Sequence, residues 1–309
     1  MPRGRFVGLG AGLLLLALSG CAAAPGGAGS PAPAPVLAGV DCLSAMPELA
    51  DGGTAPTPPP AGAVPSDFVP VDVIRCTSDD VERDDGRWQA LDVTHYGGDF
   101  TALLAALAEP DDGPVSPDQA CPAIGYLIPP LWLVDADGGA VLTRHPLGSC
   151  GEPKPGVEAA LAGLTVTATQ TTPIRLVEPR AAIDAHCEAA WKYLPPSTAD
   201  DGTASAVAST VSAKVCVYHA GDGFVGGVAD GTFLRGRALD SAEGATGWTE
   251  AANAPLAPAC DAVPTEFGIL AAADGGSAFV WVELDGCGRV YGQDGPARTA
   301  TPALLALFA

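Results

Sequence analysis

The chain has 309 residues with 36 acids, 15 bases and a net charge of −21. A surface this acidic repels nucleic acid and anionic lipid head groups, so nucleic-acid binding is excluded. The length allows two domains of ordinary size.

Arg3 and Arg5 open the chain and an uncharged apolar run, residues 6–18, follows them. It falls short of the roughly 20 apolar residues a spanning helix needs, and it suits the apolar region of a secretory signal. Leu18-Ser19-Gly20-Cys21 comes next and resembles the lipobox of bacterial lipoproteins. That resemblance implies a signal peptide over 1–20, cleavage before Cys21, acylation of Cys21, and a lipid-anchored protein on the extracytoplasmic side of the cell membrane. Abundant Ala, Gly and Pro with three lysines (Lys154, Lys192, Lys214) match the proteome of a high-GC bacterium. Losing Arg3 and Arg5 leaves 36 acids against 13 bases, a net charge of −23. Residues 22–39 are almost entirely Ala, Pro, Gly and Ser. They lack the apolar surface to fold and read as a tether of roughly 50 Å. The anchor and tether together take 21–40.

Eight further cysteines are Cys42, Cys76, Cys121, Cys150, Cys187, Cys216, Cys260 and Cys287. Spacings of 34, 45 and 29 in the first four match 29, 44 and 27 in the second four. This agreement predicts two tandem homologous modules, 41–168 and 169–309, joined near "TVTATQTTPIRLVEP". In an exported protein such spacing indicates disulfides. Four cysteines allow three pairings per module. Cys121–Cys150 and Cys260–Cys287 are favoured because each pair flanks one hairpin, which leaves Cys42–Cys76 and Cys187–Cys216. Each bridge closes a loop of about 30 residues, worth roughly 3–4 kcal/mol in the chain-entropy estimate. No C-x-x-C spacing occurs, so neither a metal nor another cofactor is expected.

Local pattern gives each module a β-β-α-β-β order and a terminal helix, an α+β class with an antiparallel sheet. "VPVDVIRC" and "SAKVCVYH" alternate as strands. "RWQALDVTHY" and "TFLRGRALD" follow them. "DFTALLAALA" reads as a helix capped by Asp99 and "TGWTEAANA" as one capped by Thr246. Apolar runs around "DADGG" and "ADGGS" read as strand, tight turn, strand. "PGVEAALAGL" and "PALLALF" close the modules as helices. "AAIDAHCEAAWKY" predicts a helix with Ile183, Cys187 and Trp191 on one face. "TAPTPPPAGAVPS" and "PPSTADDGTASA" read as disordered insertions in equivalent slots.

"CPAIGYLIPPLWLVDADGG…GSC" resembles the C-terminal hairpin of the Streptomyces subtilisin inhibitor family over about thirty residues. The resemblance implies a protease-binding loop at Cys121, Pro122, Ala123 and Ile124, closed by Cys150. Two departures stand against it. The family's other bridge spans a much shorter loop, and the second module has Asp261 where proline falls.

Catalytic signatures are weak. "HYGGDF" at 95–100 lacks an acid of the GGDEF signature and reads as a glycine turn. His186-Cys187-Glu188 lacks the P-C-x-x-C partner of zinc deaminases. "DADGG" has no twelfth-position Glu for a calcium loop. "DDVERDDG" at 79–86 reads as a solvated acidic loop. Ser212 and Lys214 stand two apart in a strand, and His95, His145 and His219 have no telling neighbour. The expectation is therefore a non-enzymatic binding or scaffolding protein of the cell envelope, its partner an envelope protein or a small ligand. The alternatives are a serine protease inhibitor and an envelope hydrolase whose site is assembled from distant positions.

Overall fold

The computed structural model describes residues 31–50, 56–116, 118, 120–196, 212–221, 228–273, 276–292 and 295–309. Cys21, the expected signal segment and residues 22–30 of the expected tether lie outside them. The fold is α+β, mostly antiparallel sheet with few helices, and carries four disulfides.

Helix α1 (Cys42–Ala45) is capped by the Asp41 carboxylate, which accepts the Ser44 N–H at 2.9 Å. Strands β1 (Asp72–Arg83) and β2 (Gly86–Gly97) form a long hairpin with Arg83 opposite Gly86. Gly86 sits at φ 143°, and any Cβ there would strike the Glu178 carbonyl. Helix α2 (Thr101–Leu107) follows, its first turn held by the Asp99 carboxylate on the N–H and hydroxyl of Thr101. β3 (Leu131–Val134) and β4 (Ala140–Thr143) flank a turn in which the Asp135 carboxylate accepts the N–H groups of Asp137 and Gly139. Then come α3 (Pro155–Ala162) and β5 (Thr165–Pro179). The sheet order is β4-β3-β1-β2-β5. Alternation along the strands sends Val73, Leu131, Leu133 and Val141 to one face, under Leu103 and Leu107 of α2 and Val157 and Leu161 of α3. The opposite face buries Ile74, Cys76, Leu91, Trp132 and Leu142 beneath Cys42, Met46 and Leu49.

The second half begins with α4 (Arg180–Asp184) and β6 (Ala190–Tyr193). β7 (Ala213–Ala220), β8 (Ala229–Leu239), α5 (Ser241–Asn253), β9 (Glu266–Ala272) and β10 (Phe279–Glu283) follow, then β11 (Arg289–Tyr291), β12 (Arg298–Thr299) and α6 (Pro302–Leu305). The seven-stranded order is β12-β11-β10-β9-β7-β8-β6. Within it, β10-β9-β7-β8 repeats the order β4-β3-β1-β2 of the first sheet. Under α5 and α6 the core is aliphatic apart from Trp248 and Phe308. The other face is aromatic, with Tyr193, Tyr218, Phe233, Phe267, Trp281 and Tyr291 buried around Cys187–Cys216. Gly236 lets that bridge approach β8, since a Cβ there would meet the Cys187 sulfur.

Several elements differ from expectation. α5 starts at Ser241, not Thr246, because Asp240 and Glu243 form a reciprocal capping box upstream. The helix expected over 181–193 is one short turn, after which Trp191 enters strand β6; His186 at φ 54° ends the helical path. The stretch read as the join between modules is β5, paired along the whole of β2, so residues 169–179 belong to the first sheet. The C-terminal part of the tether is ordered. Leu37 and Ala140 exchange backbone hydrogen bonds, and Ala34 is buried. Within the first proline-rich insertion, Gly62 N–H donates to the Leu142 carbonyl at 3.1 Å. Backbone pairing, available to any sequence, accounts for both. The other insertion lies mostly outside the described residues.

Candidate binding loop

Residues 108–130 connect α2 to β3. Pro110, Gly113, Pro114, Pro122, Gly125, Pro129 and Pro130 deny this stretch a helix or a central strand. Its ends are fastened. The Asp111 carboxylate accepts the Leu147 N–H at 2.8 Å and pairs with Arg144, and Asp112 pairs with Lys154 at 2.7 Å. At the far end Pro130 accepts the Cys76 N–H at 3.0 Å.

Between these ends the Cys121–Cys150 bridge ties the loop to the body. Cys150 is placed by a turn in which Gly148 N–H donates to the Glu152 carbonyl and the Glu152 carboxylate accepts the Cys150 N–H at 3.0 Å. The loop presents Ile124 (62% exposed), Tyr126 (38%) and Leu127 (97%) to solvent. Behind it lies a cleft of about 320 Å³, lined by Ile128, Pro129, Pro130, Leu142, His145 and Leu147 among others. His145 is buried, and its Nε2 has no hydrogen-bond partner. Burial lowers its pKa, against the opposing pull of Glu158 and with the help of Arg75.

The four bridges are Cys42–Cys76, Cys121–Cys150, Cys187–Cys216 and Cys260–Cys287, the pairs favoured because two of them flank hairpins. The other sequence leads are scattered. His95 Nδ1 lies 2.7 Å from the Asp72 carboxylate, and among the described residues no hydroxyl or thiol bonds to the pair. His186 accepts a hydrogen bond from Lys214 at its carbonyl, so Lys214 turns to the backbone and not to Ser212. His219 is exposed on β7. The stretch 79–86, expected as an acidic loop, is instead the end of β1 with its turn into β2, since residues 79–83 pair with β2; there Arg87 reaches Asp80 and Glu178, and Arg180 reaches Glu82. Among the described residues no group of three or more His, Cys, Asp or Glu side chains could hold a metal, and no helix is long and apolar enough to cross a membrane.

Sequence reading took residues 120–134 as one apolar run and missed Tyr126 and Leu127 as surface residues. The signal that separates loop from strand is Pro122, Gly125, Pro129 and Pro130. Searches of protein-family models, curated proteins and solved structures found no match to this chain.

Proposed function

We propose that this chain is a lipid-anchored, extracytoplasmic, non-enzymatic binding protein. On this reading its two halves descend from one duplicated unit, and it docks a partner protein of the envelope through residues 120–129. The observation that carries docking is the exposed Ile124-Gly125-Tyr126-Leu127 segment, held by a disulfide at the rim of an ordered sheet. Exposed aliphatic and aromatic side chains on a constrained loop lose little entropy on binding. The shared strand order β4-β3-β1-β2 and β10-β9-β7-β8 supports duplication, as does the equivalent placement of the bridges. The lipobox and the disulfides support export. A photo-cross-linker at Leu127 in living cells tests docking. One discrete adduct, lost on Ile124→Asp, is expected; no adduct above a control at exposed Val71 rejects the docking site.

Serine protease inhibition is the second reading. It is favoured by the same exposed loop, whose residues 121–124 carry the inhibitor resemblance. Titrating the purified protein against subtilisin- and trypsin-type proteases tests it. Tight stoichiometric inhibition supports it, and cleavage after Ile124 or Leu127 without inhibition rejects it.

A further inference from the structure

The two sheets have four edges, and three of them are closed or short. Along β4, Leu37 exchanges backbone hydrogen bonds with Ala140, and Gly62 bonds to Leu142 and Arg144. At β12, the Pro255 carbonyl accepts the Thr299 N–H, and Leu256 bridges to Arg298. β6 has only four residues. The fourth edge is β5, fifteen residues long and last in the order β4-β3-β1-β2-β5. Residues 165–172 are exposed along it. An antiparallel strand bonds one neighbour through alternate residues, so the remaining N–H and C=O groups of β5 face outward.

Edges are commonly blunted by charge, proline or a bulge. β5 carries these devices on either side of its middle. Its pairing with β2 shifts register at Thr167, Ile174 and Val177, Pro173 lacks an N–H, and charge enters at Arg175. Residues 168–172 pair regularly with residues 91–95 and hold none of them. We propose that this window is a homotypic interface. Two copies of the chain pair it antiparallel about a two-fold at Gln170 and join their first sheets edge to edge.

The occupant follows from charge and symmetry. The chain carries a net charge of −21, yet residues 165–174 have no charge. Two copies repel over most of their surface and can meet at this strip without repulsion. A charged foreign segment would find no opposite charge on it. A second β5 brings a strand that is uncharged, extended and edge-on in the same way. Centred on Gln170, the pairing sets Thr169 opposite Thr171, a cross-strand pair suited to a sheet. Both threonines are already oriented, Thr169 by its hydroxyl contact with Thr94 at 3.5 Å and Thr171 by donating to Asp92. So short a strand pair falls below the area of a standard interface, which makes the contact weak and reversible. Loop 108–130 enters β3 and bonds just beyond β4, on the sheet's other side, so pairing leaves both loops free.

Sedimentation equilibrium of the full-length protein in excess detergent, from about 10 µM to about 1 mM, tests this. A monomer–dimer equilibrium with a dissociation constant on the order of 0.1 mM is expected. Gln170→Lys and, on the opposite sheet face, Thr169→Lys bring like charges into the junction. Each should weaken association about tenfold or more with the far-ultraviolet spectrum unchanged. Amide exchange at 168–172 should slow as concentration rises, while exchange at 120–129 should not. A protein that stays monomeric throughout overturns the interface. A dimer that both variants retain, or one that forms without protecting 168–172, overturns it as well.

Discussion

The two loops that enter β3 and β9 leave equivalent helices and carry equivalent cysteines, yet they are built oppositely. The first runs over residues 108–130 and the second over 254–265. The second is sewn to the body along its length. Pro255 accepts the Thr299 N–H at 2.7 Å, Ala257 N–H donates to Ala297 at 3.0 Å, Arg289 reaches the Cys260 carbonyl, and Asp285 holds Thr265. The first is fastened at its ends and joined to the body in its middle by the Cys121–Cys150 disulfide. A shared disulfide framework therefore does not fix a shared surface. The polar bonds around each bridge decide whether a loop joins the fold or faces outward.

The largest expected effect lies in the sewn half. Glu283 is fully buried, accepts from the Tyr193 hydroxyl at 2.6 Å, and holds Arg289 through both carboxylate oxygens at 2.6 and 2.9 Å. Glu283→Ala strands the guanidinium that also grips Cys260 and should cost about 3–5 kcal/mol in denaturant unfolding. A loss below about 1 kcal/mol would show that this pair does not hold the second loop in place.

Removing bridges sharpens the contrast. Cys187→Ser/Cys216→Ser should cost about 3 kcal/mol or more, from chain entropy plus buried hydroxyls without partners. Cys121→Ser/Cys150→Ser should cost less than the chain-entropy estimate of about 3 kcal/mol, because the native loop also gains freedom. Equal shifts of the unfolding midpoint would erase the distinction.

The halves should also fail at opposite ends of the pH scale. Burial lowers the pKa of His145, just after β4, so the unfolded chain binds a proton there more readily than the folded one. That stability is present above the unfolded pKa of about 6.5 and declines as pH falls through it. His145→Leu should flatten the acid limb of a stability–pH curve. In the second sheet, burial pushes Tyr193 up to about 12 and raises Tyr218 and Tyr291 further. Their contribution is present below the unfolded value of about 10 and is lost as pH rises beyond it. Ultraviolet titration should show these three ionising only as the aromatic face opens.

The smallest expected effect on stability is at the exposed tip. Leu127→Asp should leave unfolding within about 0.5 kcal/mol of the parent, since the side chain buries nothing. A larger cost would place Leu127 in the fold and not on a free surface.

Much of this architecture was readable from sequence. The alternating runs before Cys76 and around Cys216 became β1 and β7, the two leucine- and alanine-spaced segments became α2 and α3, and cysteine spacing carried the bridge pairs. What escaped notice depended on partners distant in the chain. Strand β5 is threonine-rich and exposed, and only the length of β2 beside it explains its extension. Trp191 looked helical because Ile183, Cys187 and Trp191 fall at four-residue intervals; pairing with β8 overrides that periodicity. At the candidate site the cysteine and proline at 121 and 122 were visible, but the apolar residues after them resembled a core strand. Burial is a property of the assembled sheet, and no local pattern carries it.

The backbone bonds between Leu37 and Ala140 put the chain's leading segment in the path of any mechanical load. Tension on a chain held at its N-terminus would first part Ala32 and Ala34 from Ala63 and then Leu37 from Ala140 at the outer edge of β4. It would then meet the Cys42–Cys76 crosslink to β1, a covalent stop set within the core. Stretching can thus extend this leading segment and leave both sheets intact.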